Sequence, residues 1–192
     1  ENADEFKENT LDEIREYIRN NNKIVAIGEI GLDYYWDENP PKEVQKEVFR
    51  SQMKLAEELE LPVVIHDRDA HQDTLEIIKE YPDVTGVVHC FSGSVEFAQE
   101  CIKLGYYIGF TGVVTFKNAK KIVQVAKEIP IDRILVETDC PYMSPEPNRG
   151  KRNRSDYIEY IINKISEIKE IEPAEANKVF NENFKRLIYK EK

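Results

Sequence analysis

The segment Leu61-Pro62-Val63-Val64-Ile65-His66 is an uncharged apolar run that ends on an imidazole. Three other apolar runs, residues 25–29, 87–89 and 134–139, also end on a residue that a divalent metal accepts: Glu29, His89 and Asp139. In a sheet of parallel strands all carboxyl ends lie along one edge, so these four residues should converge although they are far apart in sequence. Two imidazoles and two carboxylates at one edge predict a divalent metal site.

Helical and strand patterns alternate along the whole chain. Strands are predicted at residues 23–29, 61–66, 85–90, 106–110 and 133–137, and amphipathic helices separate them. Strict alternation of strands and helices predicts a parallel sheet with right-handed crossovers. No repeat, low-complexity tract or linker interrupts this order, so we expect a single domain over residues 1–192.

The ends of the predicted strands favour a barrel over an open, doubly wound sheet. A dinucleotide-binding sheet needs the pattern G-x-G-x-x-G after its first strand, and Gly28 and Gly31 do not supply that spacing. In a TIM barrel, catalytic groups come from the ends of several strands at one face. We therefore predict an α/β fold of the (β/α)8 TIM-barrel family. In this prediction Glu29 stands where its strand leaves the sheet, and Gly31 allows a sharp turn.

The composition is that of a globular protein with a charged surface. Hydrophobic residues make up 41% of the chain, charged residues make up 33%, and no apolar run approaches the roughly 18 residues of a membrane helix. The three cysteines lack a C-x-x-C spacing, and the amino end does not resemble a signal peptide, so we expect a cytoplasmic protein with no membrane partner. The net charge of -10 argues against non-specific coating of nucleic acid, but it is compatible with a local phosphate site.

One basic segment stands out in this acidic chain: Asn148-Arg149-Gly150-Lys151-Arg152-Asn153-Arg154. It follows the fifth predicted strand and should lie at the same edge as Asp139. Guanidinium groups and the backbone amides around a glycine can hold a phosphate. The alternative is a solvated loop that pairs with surface acids. The candidates for substrate binding are Arg68, which follows His66 by two residues, and Arg149, Lys151 and Asn153.

Three aromatic residues, Tyr34, Tyr35 and Trp36, follow Glu29 closely. They could stack a base or a sugar at the rim of the site. Packing against the next helix is about as good an interpretation.

Several motifs, taken in order, resemble the TatD family of metal-dependent deoxyribonucleases in the amidohydrolase-like superfamily. They are Gly28-Glu29-Ile30-Gly31-Leu32-Asp33-Tyr34, Pro62-Val63-Val64-Ile65-His66-Asp67-Arg68-Asp69-Ala70, His89-Cys90-Phe91-Ser92-Gly93, Glu137-Thr138-Asp139-Cys140-Pro141, and Arg149-Gly150-Lys151-Arg152-Asn153. The resemblance implies a (β/α)8-type barrel and a centre of one or two divalent ions, which could be Mg, Mn, Zn or Fe. It also implies a hydrolase that cleaves phosphodiester bonds of DNA, single-stranded or at 3′ ends, as a 3′-5′ exodeoxyribonuclease.

The matched motifs imply a role for each candidate residue. The metal ligands would be Glu29, His66, His89 and Asp139. Glu29 would bridge two ions, and Asp139 would accept or steer the proton of the attacking water, so both would be catalytic. Arg68 and the loop from Arg149 to Asn153 would contact phosphate.

The sequence departs from the family at its amino end. Members of the family begin with a strand that ends in His-x-His, and this sequence contains no His-x-His. The predicted strands and the 192 residues also fall short of the eight strands and roughly 250 residues of such barrels. We therefore expect the carboxyl-terminal portion of a TatD-like barrel, with about five of the eight strands and without the first three β/α units. Weak metal binding and little or no nuclease activity of the chain alone should follow.

Two other functions stay open on the sequence alone. The first is an amidohydrolase of the same superfamily that cleaves C–N or ester bonds. The second is a non-catalytic barrel fragment that acts as an interaction module through its exposed sheet edges. The basic segment favours the nuclease, because a small neutral substrate would give it no role.

Overall fold

The computed structural model describes residues 2–7 and 9–189. Strands and α-helices alternate in this part of the chain, in the order α1 (Thr10–Asn20), β1 (Ile27–Asp33), α2 (Lys42–Glu58), β2 (Val63–Arg68), α3 (His71–Lys79), β3 (Gly86–Val88), α4 (Val95–Lys103), β4 (Tyr107–Phe110), α5 (Lys120–Glu128), β5 (Ile134–Val136), α6 (Ile158–Lys169) and α7 (Pro173–Tyr189). β1 pairs in parallel with β2, β3 with β4, and β4 with β5. The predicted α/β fold with five parallel strands is confirmed for the described residues.

The described residues form two compact units, the first ending at Gly86 and the second beginning at Val87. The single domain over residues 1–192 and the absence of three amino-terminal β/α units stay predictions. In the described ranges, every helix is too short or too polar to span a lipid bilayer.

The core of the first unit forms where α2 packs on β1. One face of this helix is buried, at Gln45, Phe49, Met53 and Ala56, because these positions recur at helical spacing. On the strands, Leu32 is inaccessible to solvent. Each large apolar side chain that is fully buried stabilises the fold by roughly 1.5–3 kcal/mol, so this layer fixes β1 relative to α2.

The core of the second unit forms around β4, which lies between β3 and β5. Every residue of β4 is buried, as expected for a strand that is covered on both faces. The last helix is tied to β5 by a buried side chain, because Asn183 Nδ2 donates to the backbone oxygens of Ile131 at 2.9 Å and Ile134 at 2.8 Å.

β1 differs from the prediction in its bounds. It runs from Ile27 to Asp33, so the prediction that Glu29 stands at the end of the strand is wrong, and Gly31 does not form a turn. The pairing with β2 shifts between Ile27 and Ile30, where three steps along β1 match two along β2. This bulge lets both isoleucines face the core while Glu29 is exposed. A strand prediction depends on regular alternation, and the bulge interrupts it.

Replacing Gly31 with alanine should strongly destabilise the first unit. The added Cβ would overlap the carbonyl oxygen of His66, and the φ of +134° at Gly31 is one that L side chains rarely adopt. We expect the free energy of unfolding, measured by urea denaturation, to fall by about 3 kcal/mol or more, because overpacking and backbone strain act together.

The matched control is Gly150→Ala. Gly150 also has a positive φ, of +85°, but nothing lies within 4 Å of the added Cβ. The control should lose only about 1–2 kcal/mol, the cost of the left-handed backbone alone. Equal losses for the two variants would contradict the close approach of β1 and β2.

Candidate metal centre

Two of the predicted ligands come together in the first unit. A carboxylate oxygen of Glu29 and a ring nitrogen of His66 lie within 4.8 Å of each other. The bulge in β1 exposes Glu29, and the register of the two strands sets Gly31 opposite His66. A carboxylate and an imidazole at this spacing form a donor set that zinc, manganese, magnesium or iron accepts.

Asp33 orients the imidazole of His66. The two side chains share a hydrogen bond of 3.0 Å between His66 Nε2 and Asp33 Oδ2, and the side chain of Asp33 is only 1% exposed. The other carboxylate oxygen of Asp33 accepts from the N–H of Tyr35 at 3.0 Å. Because Nε2 is engaged by a carboxylate, coordination by His66 would use Nδ1.

Gln45 holds Asp33 in place. The side-chain oxygen of Gln45 accepts from the Asp33 N–H at 2.9 Å, and its Nε2 donates to the Asp33 carbonyl oxygen at 3.0 Å. Nε2 also donates to the carbonyl oxygen of Pro40 at 2.7 Å. The position of His66 therefore depends on a chain of bonds that begins in the buried face of α2. No local sequence pattern distinguishes Asp33 or Gln45 from surface polar residues, so both were missed as supporting residues.

A cavity of about 330 Å³ opens beside the Glu29–His66 pair. Its wall includes both of these residues, Asp33 and Gln45, and Phe6 adds an apolar surface. Ligand cavities in proteins begin at about 300 Å³. The pair therefore faces a space that admits a phosphate-sized group.

In the second unit, His89 follows β3 directly, as predicted, and is buried. Its Nδ1 lies 3.4 Å from Oε2 of Glu137, and Oε1 of Glu137 accepts from the N–H of Cys90 at 2.6 Å. With Nδ1 facing a carboxylate, coordination by His89 would use Nε2. Glu137 was missed as the carboxylate partner of His89, because the two residues are far apart in the chain.

Asp139 lies in a turn after β5, where its φ is +53°. Asn153 holds this turn, since its Nδ2 donates to the carbonyl oxygens of Thr138 at 2.6 Å and Tyr142 at 2.5 Å. The N–H of Asn153 donates to the carbonyl oxygen of Pro141 at 3.0 Å. Asn153 is buried, so its amide grips the backbone on both sides of Asp139. Its predicted contact with substrate stays a prediction.

The predicted phosphate-binding cations lie on the surface of their units. Arg149 and Lys151 are exposed, and the guanidinium carbon of Arg149 lies 4.2 Å from the centre of the Phe116 ring. In the first unit, the guanidinium carbon of Arg68 lies 3.9 Å from the centre of the Tyr35 ring. Contacts of this kind leave the N–H groups of an arginine able to bind an anion.

Among the described residues, the candidate metal-binding side chains are Glu29 and His66 in the first unit and His89 in the second. Each imidazole in this set has a carboxylate partner, Asp33 for His66 and Glu137 for His89. Carboxylate partners of this kind commonly accompany histidines that bind metals in proteins. Asp139 stays a predicted ligand.

The chain is similar to a family described as DNases and to proteins described as metal-dependent hydrolases. The family model described as TatD related DNase matches residues 1–189. The chain is 54% identical over 167 residues to the uncharacterized metal-dependent hydrolase YabD of Bacillus subtilis, covering 86% of this chain and 65% of that protein. It is 41% identical over 169 residues to the uncharacterized metal-dependent hydrolase YcfH of Escherichia coli, covering 86% of this chain and 63% of that protein. It thus spans less than two thirds of the length of these relatives.

The fold is similar to that of a solved TatD homolog. The crystal structure of YJJV from Escherichia coli superimposes with a TM-score of 0.89 at 30% identity, covering 96% of this chain and 71% of that one. This similarity supports the predicted TIM-barrel family. Together with the match over nearly the whole sequence, it shows that the chain belongs to the TatD related DNase family.

Proposed function

We propose that this protein is a metal-dependent hydrolase of the cytoplasm that cleaves DNA phosphodiester bonds from a 3′ end. The observation that carries the proposal is the Glu29–His66 pair, whose imidazole is held by the buried carboxylate of Asp33. The description of the matching family as DNase and the names of the relatives as metal-dependent hydrolases support it.

Glu29, His66 and His89 would hold a divalent ion, with Asp139 as a further ligand. Mixed imidazole and carboxylate donors suit Zn, Mn, Mg or Fe. A bound divalent ion lowers the pKa of a bound water and offsets the negative charge that develops on a phosphate.

The other residues would position the substrate and move a proton. Asp139 would accept or steer the proton of the attacking water, and Glu29 would help to hold the ion that supplies this water. Arg68, Arg149 and Lys151 would bind the phosphates. The chain has a net charge of -10, so the attraction for DNA would be confined to the surroundings of these cations. Asn153 would act by holding the turn that carries Asp139.

The proposal is tested with a 3′-labelled single-stranded oligonucleotide and the chain reconstituted with Mg, Mn, Zn or Fe in turn. We expect metal-dependent release of labelled mononucleotides, with a rate at least about 100-fold lower in His66→Ala. We expect the absolute rate of this chain alone to be low.

His71→Ala is the matched control, because the His71 side chain is also 33% exposed and also bonds an aspartate, Asp67, at 2.7 Å. It should retain the activity of the wild type.

Neutral amide and ester substrates are tested with the same preparations. Their hydrolysis without any cleavage of DNA would refute the nuclease and favour the amidohydrolase.

The Asp33→Asn substitution should weaken metal binding. The neutral side chain keeps the shape of Asp33 but no longer supports the His66 ring with a charge, so we expect about 10- to 100-fold lower affinity. Competition with a chromophoric chelator measures the affinity without any need for turnover. Asp37→Asn, at an exposed position nearby, should bind metal like the wild type. Unchanged affinity in Asp33→Asn would show that the hydrogen bond does not support the ligand.

The Asn153→Ala substitution separates a positioning role from contact with substrate. Loss of the amide leaves the carbonyl oxygens of Thr138 and Tyr142 without this donor, which should lower the free energy of unfolding by about 1–3 kcal/mol. If Asn153 acts through the Asp139 turn, kcat falls and KM changes little; a rise in KM alone would instead indicate direct contact. Asn181→Ala, at an exposed site on α7, is the control.

A further inference from the structure

Two large aromatic side chains directly after β1 are exposed. Tyr35 is 51% and Trp36 is 44% exposed, and their rings meet edge to face with centroids 4.7 Å apart. The neighbouring Tyr34 is different, because its hydroxyl donates to Asp73 at 2.7 Å and Lys42 lies 4.3 Å from its ring centre. Burial, together with that hydrogen bond, raises the pKa of Tyr34. Tyr34 thus packs against its surroundings, whereas Tyr35 and Trp36 present ring surface to solvent.

A cation accompanies the exposed rings. The guanidinium carbon of Arg68 lies 3.9 Å from the centre of the Tyr35 ring and 5.3 Å from that of Trp36. Within the described part of the chain, Arg68 forms no ion pair with a carboxylate. Its N–H donors are therefore not neutralised by an acid, although acids outnumber bases in this protein, 37 to 27. We call Tyr35, Trp36 and Arg68 the aromatic platform.

The platform lies next to the Glu29–His66 pair along the same strands. β1 and β2 pair Asp33 with Arg68, and the N–H of Tyr34 donates to the carbonyl oxygen of Arg68 at 2.9 Å. His66 and Arg68 are two positions apart on β2, so their side chains leave the same face of the strand about 6–7 Å apart. A single nucleotide bridges a distance of this size.

We propose that the aromatic platform binds the unpaired terminal base of single-stranded DNA, with the base stacked on the Tyr35 ring beside the perpendicular ring of Trp36, and the adjoining phosphate bonded to Arg68. The site rests on the proposed function, and it adds the residues that would hold an unpaired base, since a base must leave its duplex to stack. Stacking is tolerant of sequence, because every base has an aromatic face, so the platform selects single strands rather than particular bases.

Trp36 is the only tryptophan of the protein, so its fluorescence reports directly on the platform. The metal-free chain is titrated with oligo(dA), with the corresponding duplex, and with an abasic oligonucleotide of the same length and charge. We expect oligo(dA) to quench Trp36, the duplex to do so much less, and the abasic strand not at all. Equal binding and quenching by the abasic strand, or no quenching by oligo(dA), would overturn the proposal.

Variants test the same site by the anisotropy of a labelled oligonucleotide. Tyr35→Leu should weaken binding about 5- to 100-fold, the range for loss of one stacked base. The substitution keeps the bond between Asp33 and the backbone of residue 35, so the first unit should stay folded. Arg68→Gln should also weaken binding and reduce its dependence on salt. Tyr17→Leu, at a tyrosine that is 70% exposed on α1, should bind like the wild type. Wild-type affinity in Tyr35→Leu would refute the platform.

The two proposals fail separately. Quenching by oligo(dA) without hydrolysis of the labelled strand would leave the platform in place and refute the nuclease. Hydrolysis that depends on His66, with no quenching and no effect of Tyr35→Leu, would leave the nuclease in place and refute the platform.

Discussion

The hydrogen bond between Asp33 and His66 is the constraint on which the candidate metal centre depends. The imidazole of His66 is partly exposed and lies beside the exposed carboxylate of Glu29. The buried carboxylate of Asp33 gives this imidazole a partner that is held in a fixed position. Asp33 is in turn held by Gln45 through both of its backbone groups. Because Gln45 belongs to the buried face of α2, the direction of the His66 ring follows from hydrophobic packing of that helix.

Buried carboxamides fix the backbone at three places within residues 2–7 and 9–189. Gln45 holds the end of β1, Asn153 holds the turn around Asp139, and Asn183 holds the start of β5. A carboxamide carries two donors and an acceptor without a charge, so it can bond several backbone groups in the interior without the desolvation of an ion. Glu29, His66 and Asp139 are thereby left at least partly exposed, while neutral side chains fix the backbone beneath them.

The periodic features of the fold were predictable from the sequence, and the features that depend on irregular backbone were not. β3, β4 and β5 match the predicted runs to within a few residues, because an apolar run between helices has few other structures open to it. β1 was placed too early because its bulge breaks the alternation of inward and outward residues, and Gly31 was taken for a turn although it permits a close approach of strands. Glu29 and His66 could be predicted as a pair from neighbouring apolar runs and from motifs, whereas Asp33 and Glu137 act through partners that no local pattern identifies.

The hydrogen bonds of Asn183 also limit the order in which parts of the second unit can form during synthesis of the chain. The carbonyl groups of Ile131 and Ile134 precede their donor by 52 and 49 residues, so the ribosome makes them seconds before the side chain that bonds them, at about 5–20 residues per second. The first unit ends at Gly86 and contains both Glu29 and His66, so it needs none of the later sequence to complete its own hydrogen bonds to Asp33 and Gln45. These hydrogen bonds of the first unit can therefore form before α7, which carries the donor to β5, has been synthesised.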